Sequence, residues 1–394
     1  MEMFPYTSPS AVGLSDSLTE GIDKMAKEDI ENGEIVCAAV QVVCQDKTVY
    51  KKCHGWADKE KEIPLNENHI FRMASMTKPI TAVCVLKQME AGKLDLDDPA
   101  GKFIPGLMNM EVAEHDAEGK FIGSHPSPRP LTVRDLLSHS SGLDSGPWSD
   151  GLNCDVNISA NGVLRDMAEG CSKSRLGFDP GSMGSYSWLV GFDVLAHIVE
   201  LTSDMPFADF ADANIFRPLD MKDTCFVLTD EQWERAVTMY RISDDKKSEP
   251  LHMYDRMICT GPATYHSGAA NVVSCLSDYS RFANMLCNDG ISCGVRILQE
   301  DSVRQMRSRQ AYFGRPGEDE TLAWGLGVQV VLTDNGKLAC RKAGTYGWSG
   351  AFGTHFWCDP ARKLSVVYCT NMLGGAESDK VTRRHIEKAV FENM

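Results

Sequence analysis

The spacing of hydrophobic and polar residues predicts regular structure near both ends of the chain. Apolar residues at helical spacing predict one helix near residues 17–32 and another from about residue 379 to 391. Residues 35–43 and 48–52 have the β-branched and apolar composition of strands. The polar turn at residues 45–47 separates these two strands. We therefore expect a hairpin to open the fold.

Strand patterns return in the last quarter of the chain. Residues 327–332 predict a strand, and Asp334-Asn335-Gly336 favours a tight hairpin turn into residues 338–340. Two further strands are predicted at residues 353–357 and 364–369, with an Asp-Pro turn between them. Short turns join strands that run in opposite directions, so the sheet is expected to be antiparallel.

The middle of the chain has a different character. From about residue 70 to 300 the patterns are mainly helical and loop-like, and residues 111–130 are expected to form an exposed loop or lid. The predicted fold class is α+β: an antiparallel β-sheet flanked by helices and built from both chain ends, with an inserted, mainly helical domain. Residues 1–70 plus 300–394 are assigned to the sheet domain and residues 71–299 to the helical domain.

Composition and charge narrow the classes of function. The 394 residues carry a formal charge of −15 without a basic stripe, which disfavours nucleic acid and anionic membranes as partners. The 14 Cys residues lie singly with no Cys-x-x-Cys pair, as expected for free thiols in a reducing compartment. Neither a signal-peptide pattern nor a phosphate-binding glycine motif is found, and the His residues do not cluster. We expect a cytoplasmic protein with a small-molecule substrate and with no metal or organic cofactor.

Ser75 and Lys78 are the strongest candidates for catalytic chemistry. They form a Ser-x-x-Lys pair, and the apolar residues that follow indicate a helix, so both side chains share one helix face. A hydroxyl and an amine one turn apart can serve as nucleophile and base. A lysine of ordinary pKa, near ~10.4, is protonated at neutral pH, so a lysine base needs burial or a neighbouring cation. The pair is equally consistent with a helix-capping serine and a surface lysine.

The Ser-x-x-Lys spacing is weak evidence by itself, because chance places it about once in a chain of this length. Ser243 and Lys246 repeat the spacing, but their polar surroundings predict a solvated loop, so this pair is set aside. Ser277-Asp278-Tyr279 is interpreted as a helix start, with Ser277 as its cap, rather than as a catalytic motif.

Several motifs in order along the chain resemble one known family. Besides Ser75-Met76-Thr77-Lys78, they include Leu-Thr-Val-Arg-Asp-Leu-Leu-Ser-His-Ser-Ser-Gly-Leu at residues 131–143, residues 215–221 and residues 296–298. From about residue 35 to 390 the chain resembles the serine β-lactamase and penicillin-binding-protein superfamily, in particular its class C β-lactamase-like branch of carboxylesterases and acyltransferases. In the residue 131–143 motif, His139 is interpreted as structural.

The resemblance implies a second catalytic residue at Tyr186. The family's Tyr-x-Asn element follows a Pro-Gly turn, and here Pro180-Gly181 precedes Tyr186-Ser187-Trp188, so Trp188 replaces the Asn. Without the family, Tyr186 is simply an aromatic residue at the start of a helix. The absent amide disfavours a β-lactam substrate.

The resemblance also implies a strand that binds substrate. Two segments compete for the family's Lys-Thr-Gly element, residues 342–344 and Trp348-Ser349-Gly350, and the second is favoured by its distance from the next strand. Trp348, Ser349 and Gly350, together with Trp188, are then expected to contact substrate. Backbone N–H groups of Ser75 and Ala351 are expected to form the oxyanion hole.

These residues imply a serine hydrolase that acts on carboxylic esters through an acyl-enzyme on Ser75, with Lys78 and Tyr186 sharing the proton transfers. Three alternatives stay open: an acyltransferase with the same residues, a β-lactamase or D-amino-acid peptidase, and a non-catalytic ligand-binding module. The substrate is expected to be a small acyl compound, an ester or an amide. The oligomeric state is left open.

Overall fold

The computed structural model describes residues 4–143, 162–243, 247–255, 257–258, 264–334, 340–373 and 378–394. Within these residues the α-helices are α1 (Leu18–Glu31), α2 (Thr77–Glu90), α3 (Val133–Leu137), α4 (Leu164–Cys171), α5 (Val190–Ser203), α6 (Phe207–Ala211), α7 (Asp230–Glu234), α8 (Leu276–Cys287), α9 (Glu300–Met306) and α10 (Ser378–Phe391). The strands are β1 (Cys37–Cys44), β2 (Lys47–Asp58), β3 (Ile63–Pro64), β4 (Ile70–Arg72), β5 (Glu111–His115), β6 (Phe121–Pro126), β7 (Tyr240–Ile242), β8 (Ser248–Pro250), β9 (Val273–Cys275), β10 (Ile291–Ser292), β11 (Val295–Arg296), β12 (Ala311–Tyr312), β13 (Leu322–Trp324), β14 (Gln329–Val331), β15 (Tyr346–Ser349), β16 (His355–Asp359) and β17 (Leu364–Cys369).

The main sheet is built from strands of both ends of the chain. Nine strands lie in the order β12-β13-β14-β15-β16-β17-β1-β2-β3, and each neighbouring pair is antiparallel. The register places Val40 of β1 opposite Tyr368 of β17. The fold is therefore α+β with an antiparallel sheet, as the sequence predicts. The predicted turn at residues 334–336 and the strand after it lie largely outside the described residues.

Helices cover both faces of the sheet. Alternate residues of β1 point to opposite faces, so Cys37 and Ala39 join the core under α2, α5 and α8, whereas Ala38 and Val40 join the core under α1 and α10. Every residue of β1 is buried. A strand buried on both faces has a continuous apolar sequence rather than an alternating one, which accounts for the run at residues 37–44.

Helix α2 lies in the centre of the protein and is buried almost all round, from Thr77 to Leu86. Pro79 is tolerated because it lies in the first turn, where a backbone N–H has no partner within the helix. A helix that is apolar on all sides belongs in a core, and α2 packs against α5. Lys78 is consequently held deep inside the molecule.

The middle of the chain contains more strand than the sequence predicts. Residues 111–130 were expected to be a loop or lid, but β5 and β6 pair there as an antiparallel hairpin, so this prediction is wrong. Strand β4 pairs with β9 just before the Ser75 segment. The assignment of residues 71–299 to a separate helical domain remains a prediction.

The residues that the structure describes include no helix with both the length and the apolar character needed to cross a lipid bilayer.

Candidate active site

The backbone just before Ser75 has an unusual conformation. Ala74 is buried and has a φ of 45°, in the left-handed region that residues with a Cβ seldom adopt. Such a conformation costs about 1–3 kcal/mol and persists only when its surroundings impose it. Here the Met73 N–H donates to the Val272 carbonyl, and the Tyr279 hydroxyl donates to the Met76 carbonyl. Ser75 is thereby fixed in a short 3₁₀ turn that leads into α2.

Ser75, Lys78 and Tyr186 meet at one point. The Tyr186 hydroxyl donates to Ser75 Oγ at 2.7 Å, and Lys78 Nζ lies 3.3 Å from the same oxygen. Lys78 Nζ also lies 5.0 Å from the centre of the Tyr186 ring. The structure therefore brings together the three side chains that the sequence names as catalytic.

The surroundings of Lys78 determine how its amine points. Its side chain is fully buried, at 0% exposure. Nζ donates to the backbone carbonyls of Trp188, at 2.6 Å, and Ala269, at 3.2 Å. Carbonyl oxygens can only accept, so these two contacts take N–H groups in either protonation state. The third tetrahedral position on Nζ faces Ser75 Oγ and carries a proton in the ammonium form or the lone pair in the neutral amine.

The buried carboxylate of Asp193 supports a segment that binds Lys78. Asp193 of α5 accepts hydrogen bonds from the Tyr265 hydroxyl at 2.6 Å, the Ser267 hydroxyl at 2.7 Å and the Ala269 N–H at 3.0 Å. Burial raises the pKa of Asp193 to about 6, although the hydrogen bonds and the Lys78 charge oppose the shift. Asp193 thus holds the segment whose Ala269 carbonyl binds Lys78.

His139 packs directly against Tyr186. Its ring centre lies 4.9 Å from that of Tyr186 and 4.4 Å from that of Trp324. His139 Nδ1 accepts a hydrogen bond from the Ser187 N–H. Burial lowers the pKa of His139 well below its ordinary value, and the nearby Lys78 charge adds to this effect. A neutral His139 therefore supports the Tyr186 segment, in keeping with a structural role.

Strand β15 ends beside Ser75. The Trp348 ring packs against Tyr186, with centres 5.2 Å apart, and against Trp324 at 5.1 Å. Gly350 is buried, and a Cβ added there would lie 2.3 Å from the Met73 carbonyl oxygen. No side chain larger than hydrogen fits in that space. Glycine at position 350 is what allows the strand to approach the Ser75 segment so closely.

Residues 350–353 form the turn between β15 and β16. The Gly353 N–H donates to the Gly350 carbonyl, and Gly353 has a φ of 82°. The N–H of Ala351, at the second position of this turn, is not used by the turn's own hydrogen bond, and Ala351 is exposed. Phe352 is buried in a small cluster with Ala74 and Met239, which ties the turn to the residue before Ser75.

Ser349 and Trp188, two of the residues expected to contact substrate, are placed differently from Trp348 and Gly350. The Ser349 hydroxyl lies 2.7 Å from His355 Nδ1, on the opposite side of the strand from the Trp348 ring. The Trp188 side chain is 67% exposed, and it is the backbone of Trp188 that contacts Lys78.

The competing Lys342 is exposed at the surface, 3.7 Å from Asp334. Ser277 does not cap its helix, since α8 begins at Leu276 with Cys275 in the capping position.

Comparison with known proteins decides the family. The family model described as Beta-lactamase matches residues 22–391. The chain belongs to this beta-lactamase family. Esterase EstB of Burkholderia gladioli is 30% identical over 398 residues, covering 92% of this chain and 93% of that protein.

Solved structures of beta-lactamase-like proteins share the fold. EstCE1, described as a hydrolase with promiscuous acyltransferase activity, superimposes with a TM-score of 0.78 at 23% identity, covering 95% of this chain and 98% of that one. The LovD6 mutant of simvastatin synthase from Aspergillus terreus gives a TM-score of 0.75 at 22% identity, covering 96% and 98%. At these identities the likeness establishes the fold.

By the motif resemblance, Trp188 and Trp348 take the places of a polar Asn and Lys of the beta-lactamase family. The sequence did not identify Asp193 as part of the site. The available signal was a charged residue inside the otherwise apolar run of α5, which suggests a buried polar contact.

Proposed function

We propose that the protein is a serine hydrolase that cleaves carboxylic esters through an acyl-enzyme on Ser75. The observation that carries the proposal is the position of Ser75 Oγ within hydrogen-bonding distance of both Lys78 Nζ and Tyr186 Oη. These are two groups that can remove and return its proton. The similarity to an esterase over more than nine tenths of both chains supports esters as the substrate class.

The proton transfers follow from the contacts of Lys78. With two N–H groups bound to carbonyls, the third position on Lys78 Nζ faces Ser75 Oγ, and in the amine form that acts as base this position is the lone pair. As Ser75 Oγ bonds to the acyl carbon, its proton passes to Nζ and the carbonyl oxygen becomes an oxyanion. Backbone N–H groups of Ser75 and Ala351 hold that oxyanion. The Tyr186 hydroxyl gives its proton to the leaving alkoxide and is reprotonated from Lys78. A water molecule then repeats the sequence and releases the acid.

The aromatic side chains favour an uncharged acyl group. In the favoured match to the family's Lys-Thr-Gly element Trp348 replaces the lysine, so a substrate carboxylate would meet an indole rather than an ammonium group. The same replacement, with Trp188 in place of the amide, disfavours β-lactams. We infer a small ester whose acyl part packs against Trp348, Trp324 and Tyr186.

Hydrolysis of p-nitrophenyl acetate and butyrate tests the proposal. Ser75→Ala and Lys78→Ala should each reduce kcat at least ~10³-fold, and Tyr186→Phe ~10²-fold or more. Ser243→Ala, in the second Ser-x-x-Lys segment, is the matched control and should have the activity of the parent. A fluorophosphonate probe should add its mass to Ser75.

Three results would contradict the proposal. Full activity of folded Ser75→Ala would remove the nucleophile. A parent protein that neither reacts with the probe nor turns over esters would indicate a non-catalytic binding module. Rapid hydrolysis of nitrocefin, exceeding that of the esters, would indicate a β-lactamase.

Acyl transfer is a second candidate, favoured by the exposure of Trp188. Its indole is 67% exposed next to the residues that contact Ser75, and it offers an apolar surface to an alcohol acceptor. EstCE1, with the same fold, is described as a hydrolase with promiscuous acyltransferase activity. Product analysis with vinyl butyrate and a primary alcohol separates the two functions. Ester product in excess of free acid would place transfer first.

A further inference from the structure

Two side chains of helix α10 connect it to the end of strand β15, one directly and one through His355 of β16. Arg383 and Glu387 are four residues apart on the helix, so they project from the same face. Arg383 Nη2 donates to the Gly350 carbonyl at 2.7 Å. Glu387 Oε1 lies 3.0 Å from His355 Nε2, and His355 Nδ1 lies 2.7 Å from the Ser349 hydroxyl. Two neighbouring residues of the substrate strand are thus connected to one helix face.

The contact between Glu387 and His355 is buried, and the charge of Glu387 defines the direction of its hydrogen bond. Arg341 and His355 hold the pKa of Glu387 below its ordinary value despite its burial, so the carboxylate is ionised and can only accept. Burial lowers the pKa of His355, which is neutral at neutral pH. His355 Nε2–H therefore donates to Glu387, while Nδ1 lies 2.7 Å from the Ser349 hydroxyl and 3.1 Å from the Trp348 carbonyl oxygen. This connection fixes the position of α10 against the strand.

Arg383 contacts the peptide group that joins Gly350 to Ala351. The Gly350 carbonyl accepts from both Arg383 and the Gly353 N–H, so both of its lone pairs are occupied. The same peptide unit carries the N–H of Ala351. A charge-assisted bond to a carbonyl draws electron density from the whole peptide, and its N–H becomes a stronger donor.

We propose that Arg383 is a positioning residue for the oxyanion hole. Its guanidinium holds and polarises the Gly350–Ala351 peptide so that the Ala351 N–H is aimed and strengthened toward the developing oxyanion. The inference rests on the proposed function, because it requires an acyl transition state at Ser75. In this role Arg383 acts through the peptide and not on the substrate itself.

Such a role has a kinetic signature that a purely structural role lacks. The oxyanion develops only in the tetrahedral intermediate and in the transition states that flank it, so the effect appears in kcat and leaves KM almost unchanged. Losing a complete oxyanion donor costs roughly 10²–10³-fold in kcat, and weakening one costs less. We expect Arg383→Met to lower kcat for p-nitrophenyl butyrate ~10- to 50-fold with KM within ~3-fold of the parent.

Three further measurements sharpen the test. The affinity for a boronic acid, which mimics the tetrahedral intermediate, should fall in Arg383→Met by about the same factor as kcat. Arg383→Lys, which keeps the charge, should recover part of the loss. Millimolar guanidinium should restore activity to Arg383→Ala. The matched control is Arg384→Gln, the next residue of the same helix, which is exposed and should behave as the parent.

The outcomes separate this inference from the proposed function. A parent that is labelled at Ser75 and active, with folded Arg383→Met matching Arg384→Gln in kcat and boronate affinity, overturns the role of Arg383 alone. A rise in KM with unchanged kcat also overturns it, because that result assigns Arg383 to substrate binding. A parent that is neither labelled nor active overturns the proposed function and this inference together.

Discussion

Gly350→Ala is a direct test of how closely strand β15 must approach Ser75. The new Cβ would lie 2.3 Å from the Met73 carbonyl oxygen and 2.2 Å from Thr354 Oγ1. An ordinary contact of a Cβ with another heavy atom is 3.4–4 Å, so the strand has to move by at least about 1 Å. Gly350 is not among the positive-φ residues, so the effect is steric and involves no backbone strain. The Met73 oxygen belongs to the backbone that fixes Ala74 and Ser75, and it cannot rotate away as a side chain would.

The magnitudes follow from that displacement. Overpacking in a buried site costs about 1–3 kcal/mol of unfolding free energy. With an unfolding entropy of roughly 2.1 cal/mol/K per residue, that loss corresponds to a fall in Tm of only ~1–4 °C for a chain of this size. A displacement of ~1 Å at a reacting centre costs roughly 10²-fold in rate. Activity should therefore fall far more than stability.

Thermal denaturation and p-nitrophenyl butyrate kinetics measure both effects. The matched control is Gly170→Ala in helix α4, where an added Cβ meets nothing within 4 Å. That variant should keep the parent's activity and gain up to ~1 kcal/mol of stability, because alanine favours the helix over glycine. If Gly350→Ala retains the parent's kcat, close approach of the strand is not required for catalysis.

Two further predictions concern side chains around the site. Trp348→Ala should change the preference between acetyl and butyryl esters by ~10-fold or more, because its ring packs against Tyr186. Trp188→Ala, which removes an exposed side chain, should leave that preference unchanged. Equal effects of the two substitutions would show that Trp348 does not contact the acyl group. The contribution of Asp193 to stability should be present near pH 4 and lost as the pH rises through about 6, because its folded pKa lies above its unfolded value. The difference in unfolding free energy between the parent and Asp193→Asn should therefore shrink from pH 4 to 7 in urea titrations, and a constant difference would contradict the raised pKa.

Local sequence patterns were sufficient for the elements that pack in a simple way. Apolar periodicity placed α1, β1 and β17, because each has a face or a whole strand in a core. The β5–β6 hairpin was missed. Its second strand is largely exposed, so it has no hydrophobic alternation to detect, and polar residues with Pro and Gly resemble a loop. Pairing with β5, which sequence patterns do not reveal, decides its structure.

In the candidate site, too, some residues could be predicted from local sequence and others could not. The Ser75–Lys78 pair could be predicted because residues three apart on a helix meet regardless of the rest of the fold. Tyr186 could be named only through the family resemblance, since its contact with Ser75 spans more than a hundred residues. Arg383 carries no local signal at all. Its contact with Gly350 depends on how α10 docks beside the sheet, which is a result of tertiary packing.

The pairing of β1 with β17 has a consequence for how the protein is made. Cys44 lies opposite Leu364, so a strand synthesised early has to wait for one synthesised near the end before the sheet can close. Until then the β1–β2 hairpin leaves an apolar, hydrogen-bonding edge without its native neighbour on the ribosome. Contacts so distant in sequence also slow folding once synthesis is complete. The early segment is therefore prone to aggregate during translation, and expression at lower temperature or with a nascent-chain chaperone should raise the yield of native protein.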